Sequence, residues 1–387
     1  MMKRVLHLLR KKNQLEAPFI NYQITNNQEF EALITFWKSV KKDDHGGFVK
    51  LNLTKYKHLN LGQDETKWEK LLFKTMKCLS KRQVKRITAF IEKEKISICH
   101  FHYGTDCGIY YPLLKHLKIP SVVSFYGYDC FSFPKKLWGF GKKYLNNRVF
   151  GDISKVLAMS PEMKKDLVLI GCPEEKIIIH YHGVPAKAFL NQKRNYNREK
   201  KEFELLSVSY LDPVKGHLFI FKALQKLISR GISNVRLKIV GKGFYEPVLK
   251  KFIKENKLKD YVAFLGPVSP IQLLAEFEKA DGFIHPSVIT KNDKEGIPGA
   301  IVEAMFSGLP VISTYHGGIP YIIENNKTGI LVNEWDIDAL SDAMVNLSQD
   351  PKLCEELGKA GQKYALAELD LEEKEKELES IYESLIE

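Results

Sequence analysis

Two doubly wound α/β domains followed by a helical tail are what the sequence predicts, and three observations carry that reading. Short apolar runs suited to buried strands alternate with helical patterns along the chain, which argues for parallel sheets covered on both faces. A polar stretch, Asn191–Lys201 (NQKRNYNREKK), is nearly free of apolar residues and interrupts the alternation once. Beyond it the alternation restarts, and from Asp336 to Glu387 the pattern is helical. At 387 residues the chain is long for one core and comfortable for two. The expected domains are residues 1–195 and 196–365, with residues 366–387 as a helix crossing back onto the first.

In the first domain the expected strands are Val5–Leu9, Phe48–Leu53, Ile96–Phe101, Ser121–Phe125, Lys155–Met159 and Ile177–His180. Helices are expected near Glu29–Val40, Thr66–Glu94, Gly108–Leu117, Lys135–Leu145 and Pro161–Ile170. In the second domain the expected strands are Phe203–Val208, Arg236–Val240, Tyr261–Leu265, Gly282–His285, Val311–Ser313 and Gly329–Val332. Helices near His217–Arg230, Glu246–Asn256, Pro270–Lys279 and Ala300–Ser307 fill the gaps. Ligands of such sheets sit at the carboxyl ends of strands, and a cleft between two such domains is the expected site.

Composition narrows the function classes. No apolar run approaches the roughly 20 residues of a membrane span. The basic start, MMKRVLHLLRKKNQ, lacks a small-residue cleavage site and reads as a first strand. Six cysteines without paired spacing imply reduced thiols, with neither zinc nor disulfides. Charge is unevenly placed: residues 1–195 hold 35 Lys/Arg against 17 Asp/Glu, and residues 196–387 hold 24 against 30. That asymmetry implies a first domain facing something anionic, or a lysine-rich composition with no partner behind it. Nucleic acid is not expected as the partner, because no helix-turn-helix, zinc module or RNA-stacking sheet motif is visible.

The most informative stretch is Ala280–Val332. Glu295 and Glu303 are separated by seven residues with Pro298-Gly299 between them. Proline suits the start of a helix, and glycine permits close backbone approach. Free N–H groups at a helix start attract anionic oxygens, so the pattern suggests a diphosphate at the helix tip and a carboxylate near a sugar on either side. Lys215, after the Asp212-Pro213 turn and before Gly216, can reach a phosphate, or can be a surface lysine after a turn. Gly241 and Gly243 resemble half a dinucleotide fingerprint and are equally explained by a tight turn.

On the first-domain side, Cys99-His100-Phe101-His102 ends a buried strand with two histidines on one face. A metal pair there lacks a third ligand of suitable spacing, so no metal is expected. His102 is either a substrate contact or a satisfied core residue. Tyr126 and Asp129 end the next strand at the same rim. Ser132–Tyr144 interleaves Lys135, Lys136, Lys142 and Lys143 with Trp138 and other aromatics. That pattern suits an anionic membrane surface as well as an ordinary amphipathic helix. Asp336-Ile337-Asp338 resembles an Asp-x-Asp metal motif but opens a helix, where Asp is a good cap.

With Glu295 and Glu303 stand the flanks Ala-Asp-Gly-Phe-Ile-His-Pro-Ser, Ala-Met-Phe-Ser-Gly-Leu-Pro-Val-Ile-Ser-Thr and Gly-Gly-Ile-Pro. In these residues the chain resembles family 4 glycosyltransferases of the GT-B fold, most closely bacterial enzymes of capsule, exopolysaccharide or lipopolysaccharide synthesis. The resemblance is strongest over residues 202–332 and continues back to about residue 96. It implies a retaining, metal-independent hexosyltransferase without cofactor, taking a nucleotide diphosphate sugar as donor and a saccharide, lipid-linked or free, as acceptor. It further implies a cytoplasmic protein lying against the inner face of the membrane. Glu295 would then contact the hexose and Glu303 the ribose. Ile297, Pro298, Gly299 and Ala300 would line the donor, with Gly241 and Gly243 nearby, and Lys215 would neutralise the diphosphate. His102, Tyr126 and Asp129 would face the acceptor, with Glu295, His102 and Lys215 forming the catalytic set. Four departures stand out. Tyr210 replaces the arginine usually paired with the lysine, and Tyr126 a histidine. Tyr321 replaces a glutamate, and Arg10-Lys11-Lys12-Asn13 a Gly-Gly loop. Arg10, Lys11 or Lys12 is expected to supply the charge missing at Tyr210. An inactive nucleotide-sugar-binding scaffold, or an epimerase or phosphorylase of the same fold, is the rival reading.

Overall fold

The computed structural model describes residues 2–38, 51–190, 194–196, 201–291 and 293–387. The chain divides into two compact units, the first comprising Met1–Gly183 with Leu371–Glu387, the second Val184–Asp370.

Unit 1 is built on seven parallel strands: β1 (Lys3–Lys11), β2 (Phe30–Lys38), β3 (His58–Asn60), β4 (Ile98–His102), β5 (Ser121–Ser124), β6 (Lys155–Ala158) and β7 (Ile177–Ile179). Their spatial order is β3-β2-β1-β4-β5-β6-β7, so the winding reverses between β1 and β4. Among the described residues seven helices connect them: α1 (Pro18–Thr25), α2 (Lys67–Met76), α3 (Lys81–Lys93), α4 (Gly104–Cys107), α5 (Tyr111–Leu114), α6 (Lys136–Leu145) and α7 (Pro161–Leu169). Central strands are apolar on both faces because helices cover both. Thus β4 is buried at every residue.

Unit 2 repeats the plan with six parallel strands: β8 (Phe203–Val208), β9 (Val235–Val240), β10 (Val262–Gly266), β11 (Gly282–His285), β12 (Val311–Thr314) and β13 (Ile330–Val332). The order is β10-β9-β8-β11-β12-β13, reversing between β8 and β11. Its helices are α8 (His217–Ser229), α9 (Glu246–Glu255), α10 (Pro270–Lys279), α11 (Gly299–Phe306), α12 (Ile337–Gln349) and α13 (Pro351–Glu368). The core gathers Phe219, Phe221 and Leu224 of α8 with Leu237 and Ile239 of β9 and Ile284 of β11.

A last helix, α14 (Leu371–Ile386), belongs to unit 1. Leu378 and Tyr382 on one face are fully buried in that unit's core, where Tyr382 meets Phe30 edge-on at 5.3 Å between ring centres. Glu379, one turn before Glu383, accepts the N–H groups of Gln28, Glu29 and Phe30 at 2.7, 2.9 and 3.2 Å. One carboxylate thereby satisfies three donors at the entry to β2, of which the Phe30 N–H is buried.

Several expectations change. Residues 29–40, expected as a helix, contain the strand β2, because aromatics and β-branched residues (Phe30, Ile34, Thr35, Phe36, Trp37) pack on both faces beside β1. Of the strand expected at 48–53, residues 48–50 lie outside the described residues; Leu53–Lys55 is a 3-10 turn, and the edge strand is β3. The single helix expected over Thr66–Glu94 is two, each opened by a reciprocal cap at Thr66 or Ser80 and separated at Lys77, whose φ of 50° breaks the first. The helix expected at 108–117 shortens to α5, after α4. The units join at 183/184 rather than 195/196, and again at 370/371 rather than 365/366. Backbone bonding explains this: Val184 N–H donates to Leu369 O at 3.1 Å and Ala186 N–H to Asp370 Oδ1 at 3.1 Å, tying the start of unit 2 to the end of α13.

Candidate functional site

Ligands of open parallel sheets collect where the winding reverses, outside the carboxyl ends of the strands. In unit 2 that point lies between β8 and β11, and the predicted site residues come from the loops that follow these two strands. After β8, Asp212 Oδ1 accepts the N–H of Val214 at 3.2 Å and shapes the 3-10 turn Pro213–Lys215. Gly216 closes it at φ 71°, and a Cβ there would lie 1.9 Å from Pro286 O. Only glycine lets this turn rest on the loop after β11. Val288 N–H donates to Val214 O at 2.8 Å and fastens the two loops.

That contact delivers Lys215 onto Glu295, with which it forms an ion pair. The second carboxylate oxygen of Glu295 accepts from Ser287 Oγ and lies 3.3 Å from His285 Nε2. The backbone N–H of Glu295 donates to His316 Nε2 at 2.9 Å, so Nδ1 of that ring carries the proton and donates to Glu334 at 2.7 Å. Glu334 in turn accepts Ile289 N–H at 2.6 Å. Beneath, Gly317 (φ 52°) passes so near Glu295 O that a Cβ would lie 2.0 Å away. The Gly-Gly turn thus fixes the backbone of Glu295 from below, while Ser287 and His316 hold its carboxylate and N–H.

Burial sets the charge states. His285 lies well below the ordinary imidazole range because it is desolvated and faces Lys215, while His217 is pushed down to about 4 for the same two reasons. His316 is lowered by burial despite Glu334. Burial brings Lys215 down to about 8 against the pull of Asp293 and Asp212. The direct contact with Glu295 also favours the ammonium, so the pair is Lys-NH3+ and carboxylate at neutral pH.

Helix α11 begins at this centre. Pro298 is its N-cap and Gly299 its first residue, one position later than the proline pattern suggested. The N–H groups of Gly299 and Ala300 meet no acceptor among the described residues, and a Cβ on Gly299 would touch only Val184 Cγ2 at 4.0 Å. Open space and free donors at a helix start make an anion-binding surface. Ile297 is buried against Gly318. Glu303, on the second turn, is mostly buried and has no hydrogen-bond partner among the described residues; desolvation holds it up at about 7. Gly241 and Gly243 have a packing explanation: a Cβ would lie 1.9 Å from Ser209 O or 2.2 Å from Leu211 O. Their loop extends the sheet, with Leu211 N–H donating to Lys242 O at 2.9 Å.

Unit 1 reverses between β1 and β4, and here the histidines are neutral and sealed in. His102, expected at an acceptor rim, is fully buried with both ring nitrogens engaged, Nδ1 to Tyr126 Oη at 2.8 Å and Nε2 to His7 Nδ1 at 3.0 Å. The missing third histidine beside His100 and His102 is His7, which strand register places opposite His100. Sequence spacing could not supply it because β1 and β4 become neighbours only through the winding. Asp129 is fully buried and staples its loop by accepting from Gly104, Tyr126 and Gly127 N–H; burial raises it to about 6. Arg10 is ion-paired with Asp106 at 3.3 Å within the unit, and Tyr210 is half exposed. On α6 Trp138 is fully exposed and Phe140 exposed, and Lys142 Nζ is bonded to Leu169 O at 3.1 Å; before the helix Tyr128 is exposed and Lys135 Nζ lies 3.3 Å from the Phe131 ring centre. Lys136 and Lys143 are also exposed.

Sequence reasoning missed His285, Ser287, His316 and Glu334. His285 and Ser287 lie in the Ala280–Ser287 flank and His316 directly before Gly317, and all three are polar residues at or just after the end of a strand.

Two Rossmann-like units of this topology, the second with a lysine–glutamate pair beside a helix start, define the GT-B class of proteins. The fold is shared with Alr3699/HepE of Anabaena, crystallised in complex with UDP, at a TM-score of 0.79 and 17% identity over 99% of this chain and 100% of that one. A glycosyltransferase of Rickettsia africae ESF-5 shares it at 0.73 and 18% identity, over 100% and 99%. The family described as "Glycosyltransferase Family 4" matches residues 67–187, and "Glycosyl transferases group 1" matches residues 189–364, together 297 of the 387 residues. The chain belongs to these glycosyltransferases. It is similar to the amylovoran biosynthesis glycosyltransferase AmsK of Erwinia amylovora, at 33% identity over 66% of this chain and 61% of AmsK. WcaL of Escherichia coli K12, named for colanic acid biosynthesis, is 36% identical over 46% of this chain and 44% of WcaL. The chain thus aligns with about half the length of these relatives. Among the described residues no helix is long and apolar enough to cross a membrane.

Proposed function

We propose that the protein transfers a hexose from a nucleotide diphosphate sugar to a saccharide acceptor in surface-polysaccharide synthesis, with retention at the anomeric carbon and without a metal ion at the donor. The observation that carries this reading is the Lys215–Glu295 pair at the open start of α11. In this reading the donor diphosphate displaces Glu295 from Lys215 and lies against the N–H groups of Gly299 and Ala300. Glu295, still held by Ser287, turns its freed oxygen to a hexose hydroxyl, and Glu303 accepts from the ribose. The acceptor hydroxyl oxygen bonds to the anomeric carbon as the bond to the β-phosphate oxygen breaks. The hydroxyl proton passes to that departing oxygen on the same face. Negative charge grows on the phosphate, where the Lys215 ammonium and the positive end of α11 stabilise it.

The named relatives act in amylovoran and colanic acid synthesis, and Alr3699/HepE binds UDP, which supports a nucleotide sugar and a polysaccharide product. The acceptor side falls to unit 1, where Tyr126 is the half-buried group next to His102, and the acceptor is taken as lipid-linked. Trp138 and Phe140 with Lys135, Lys136, Lys142 and Lys143 would rest on an anionic membrane surface at the cytoplasmic face.

Calorimetry with UDP- and GDP-sugars on wild type and Glu303→Ala tests the donor assignment: one nucleotide sugar should bind, and the variant should bind it at least tenfold more weakly. Equal affinity in the variant would defeat the ribose contact. Turnover unchanged by a chelator is expected if the donor needs no metal. Sedimentation with anionic vesicles should fall when the four lysines are neutralised, and unchanged sedimentation would remove the membrane from the proposal.

A further inference from the structure

We infer that His7, His100 and His102 form a binding site for one zinc-like divalent ion inside unit 1, separate from the donor chemistry. One ring nitrogen from each lies within 4.8 Å of the others. All three side chains are fully buried, and they stack on one another with ring centres 4.4 to 5.4 Å apart. His7 Nδ1 and His102 Nε2 are 3.0 Å apart. Two imidazoles on a tetrahedral ion at about 2.0–2.1 Å each bring their nitrogens to roughly 3.4 Å. A small opening of this pair and a small approach of His100 therefore complete three ligands.

The surroundings suit an ion better than they suit three imidazoles alone. Ligand histidines hold their other ring nitrogen on an outer partner. His102 does so through Tyr126 Oη at 2.8 Å, and His100 through Tyr382 Oη at 2.6 Å or Ser124 Oγ at 2.8 Å. His7 Nε2 and both carboxyl oxygens of Glu375 are buried without a hydrogen-bond partner among the described residues. A purely hydrogen-bonded network seldom leaves such atoms orphaned. Glu375 is buried and close enough to both phenols that hold the histidines, Tyr126 and Tyr382, for its charge to act on them. A carboxylate placed behind these two phenols can supply the negative charge that a buried cation needs. All three imidazoles are fully out of water, so an ion held among them would be shielded from solvent. With nitrogen ligands and no coordinating carboxylate, the site selects zinc or another late first-row ion over magnesium or calcium. The ion would cross-link β1 to β4 and, through Tyr382 and Glu375, draw α14 into the same centre.

The test uses the full chain with any affinity tag removed. Metal content by plasma mass spectrometry should give close to one zinc per chain after zinc loading and desalting. Cobalt loading should give the visible absorption of a tetrahedral nitrogen site, and zinc should raise the thermal midpoint. His7→Gln should lose at least nine-tenths of the bound metal and the cobalt absorption, while His116→Gln, an exposed histidine, should keep both. Should His7→Gln fail to fold, Glu375→Gln keeps all three ligands and should weaken zinc at least tenfold. The inference is overturned if folded wild type takes up no zinc. It is equally overturned if metal stays bound in His7→Gln, or if Glu375→Gln binds zinc as wild type does. In each case the cluster is packing held by hydrogen bonds.

Discussion

The two units reverse their winding in the same way, at β8/β11 in one and β1/β4 in the other, yet fill that point oppositely. In unit 2 the centre is charged and partly open: Lys215 is one-fifth exposed, Glu295 faces it, and the loops around them are pinned by histidines and glycines. In unit 1 the centre is closed and uncharged, with His7, His100 and His102 fully out of water and phenols as partners. A charged centre that stays beside solvent can exchange one ionic partner for another. A desolvated centre of neutral imidazoles does not trade ionic partners with solvent and holds its geometry. The first arrangement suits a site that admits a diphosphate, the second a scaffold that ties strands to α14.

The contrast breaks most sharply at Lys215. Lys215→Ala should lower kcat/KM by about 10²–10³ with the far-UV spectrum and unit 2 folding unchanged, because the pair lies at the surface of a loop rather than in the core. A loss smaller than tenfold would mean that Lys215 does not carry the diphosphate contact.

The closed centre should answer differently. Glu379→Ala leaves three N–H groups at the start of β2 without an acceptor, and should destabilise the protein by about 2–3 kcal/mol while sparing nucleotide-sugar affinity. Denaturant titration beside calorimetry separates the two effects. Tyr382→Phe removes one hydroxyl from His100 at 2.6 Å and should cost about 1 kcal/mol. Loss of donor affinity in either variant would show that the two centres are not independent.

The same contrast explains what could be read from sequence. Unit 2 was legible almost to the residue because its strands are short apolar runs bounded by turn chemistry, and its charged pair stands in loops with glycine and proline. Unit 1 was read less well before β4. In β2 the order FEALITFWK spaces apolar residues at both strand and helix intervals, and only burial on both faces beside β1 decides for the strand. The histidine centre was legible only in part: His100 and His102 share a face by period two, but His7 is 93 residues away and arrives by sheet order. The role of Glu379 as a backbone cap could not be inferred, since an exposed helix in the acidic tail would carry the same residues.

Glu303 offers the finest measure of how open the donor centre is. Its carboxyl, ordinarily near 4.5, is held up at about 7 by desolvation. Below the ordinary value the folded and unfolded chains both keep the proton, and the residue contributes nothing to pH dependence. Between 4.5 and about 7 the unfolded chain releases the proton while the native chain retains it. Stability therefore falls as pH rises through that window and levels off above it. Glu303→Gln does not titrate, so the thermal midpoint of wild type minus that of the variant should decline from pH 5 to pH 7 and then flatten. Donor binding should run the other way. A ribose hydroxyl donates to the ionised carboxylate, so wild-type affinity for a nucleotide sugar should weaken below pH 7 by at most about tenfold per unit. The diphosphate diester does not titrate in that window, so the variant should bind weakly and evenly across it. A wild-type affinity flat from pH 5.5 to 8 would mean that Glu303 does not touch the donor, and that its burial serves the packing of α11 alone.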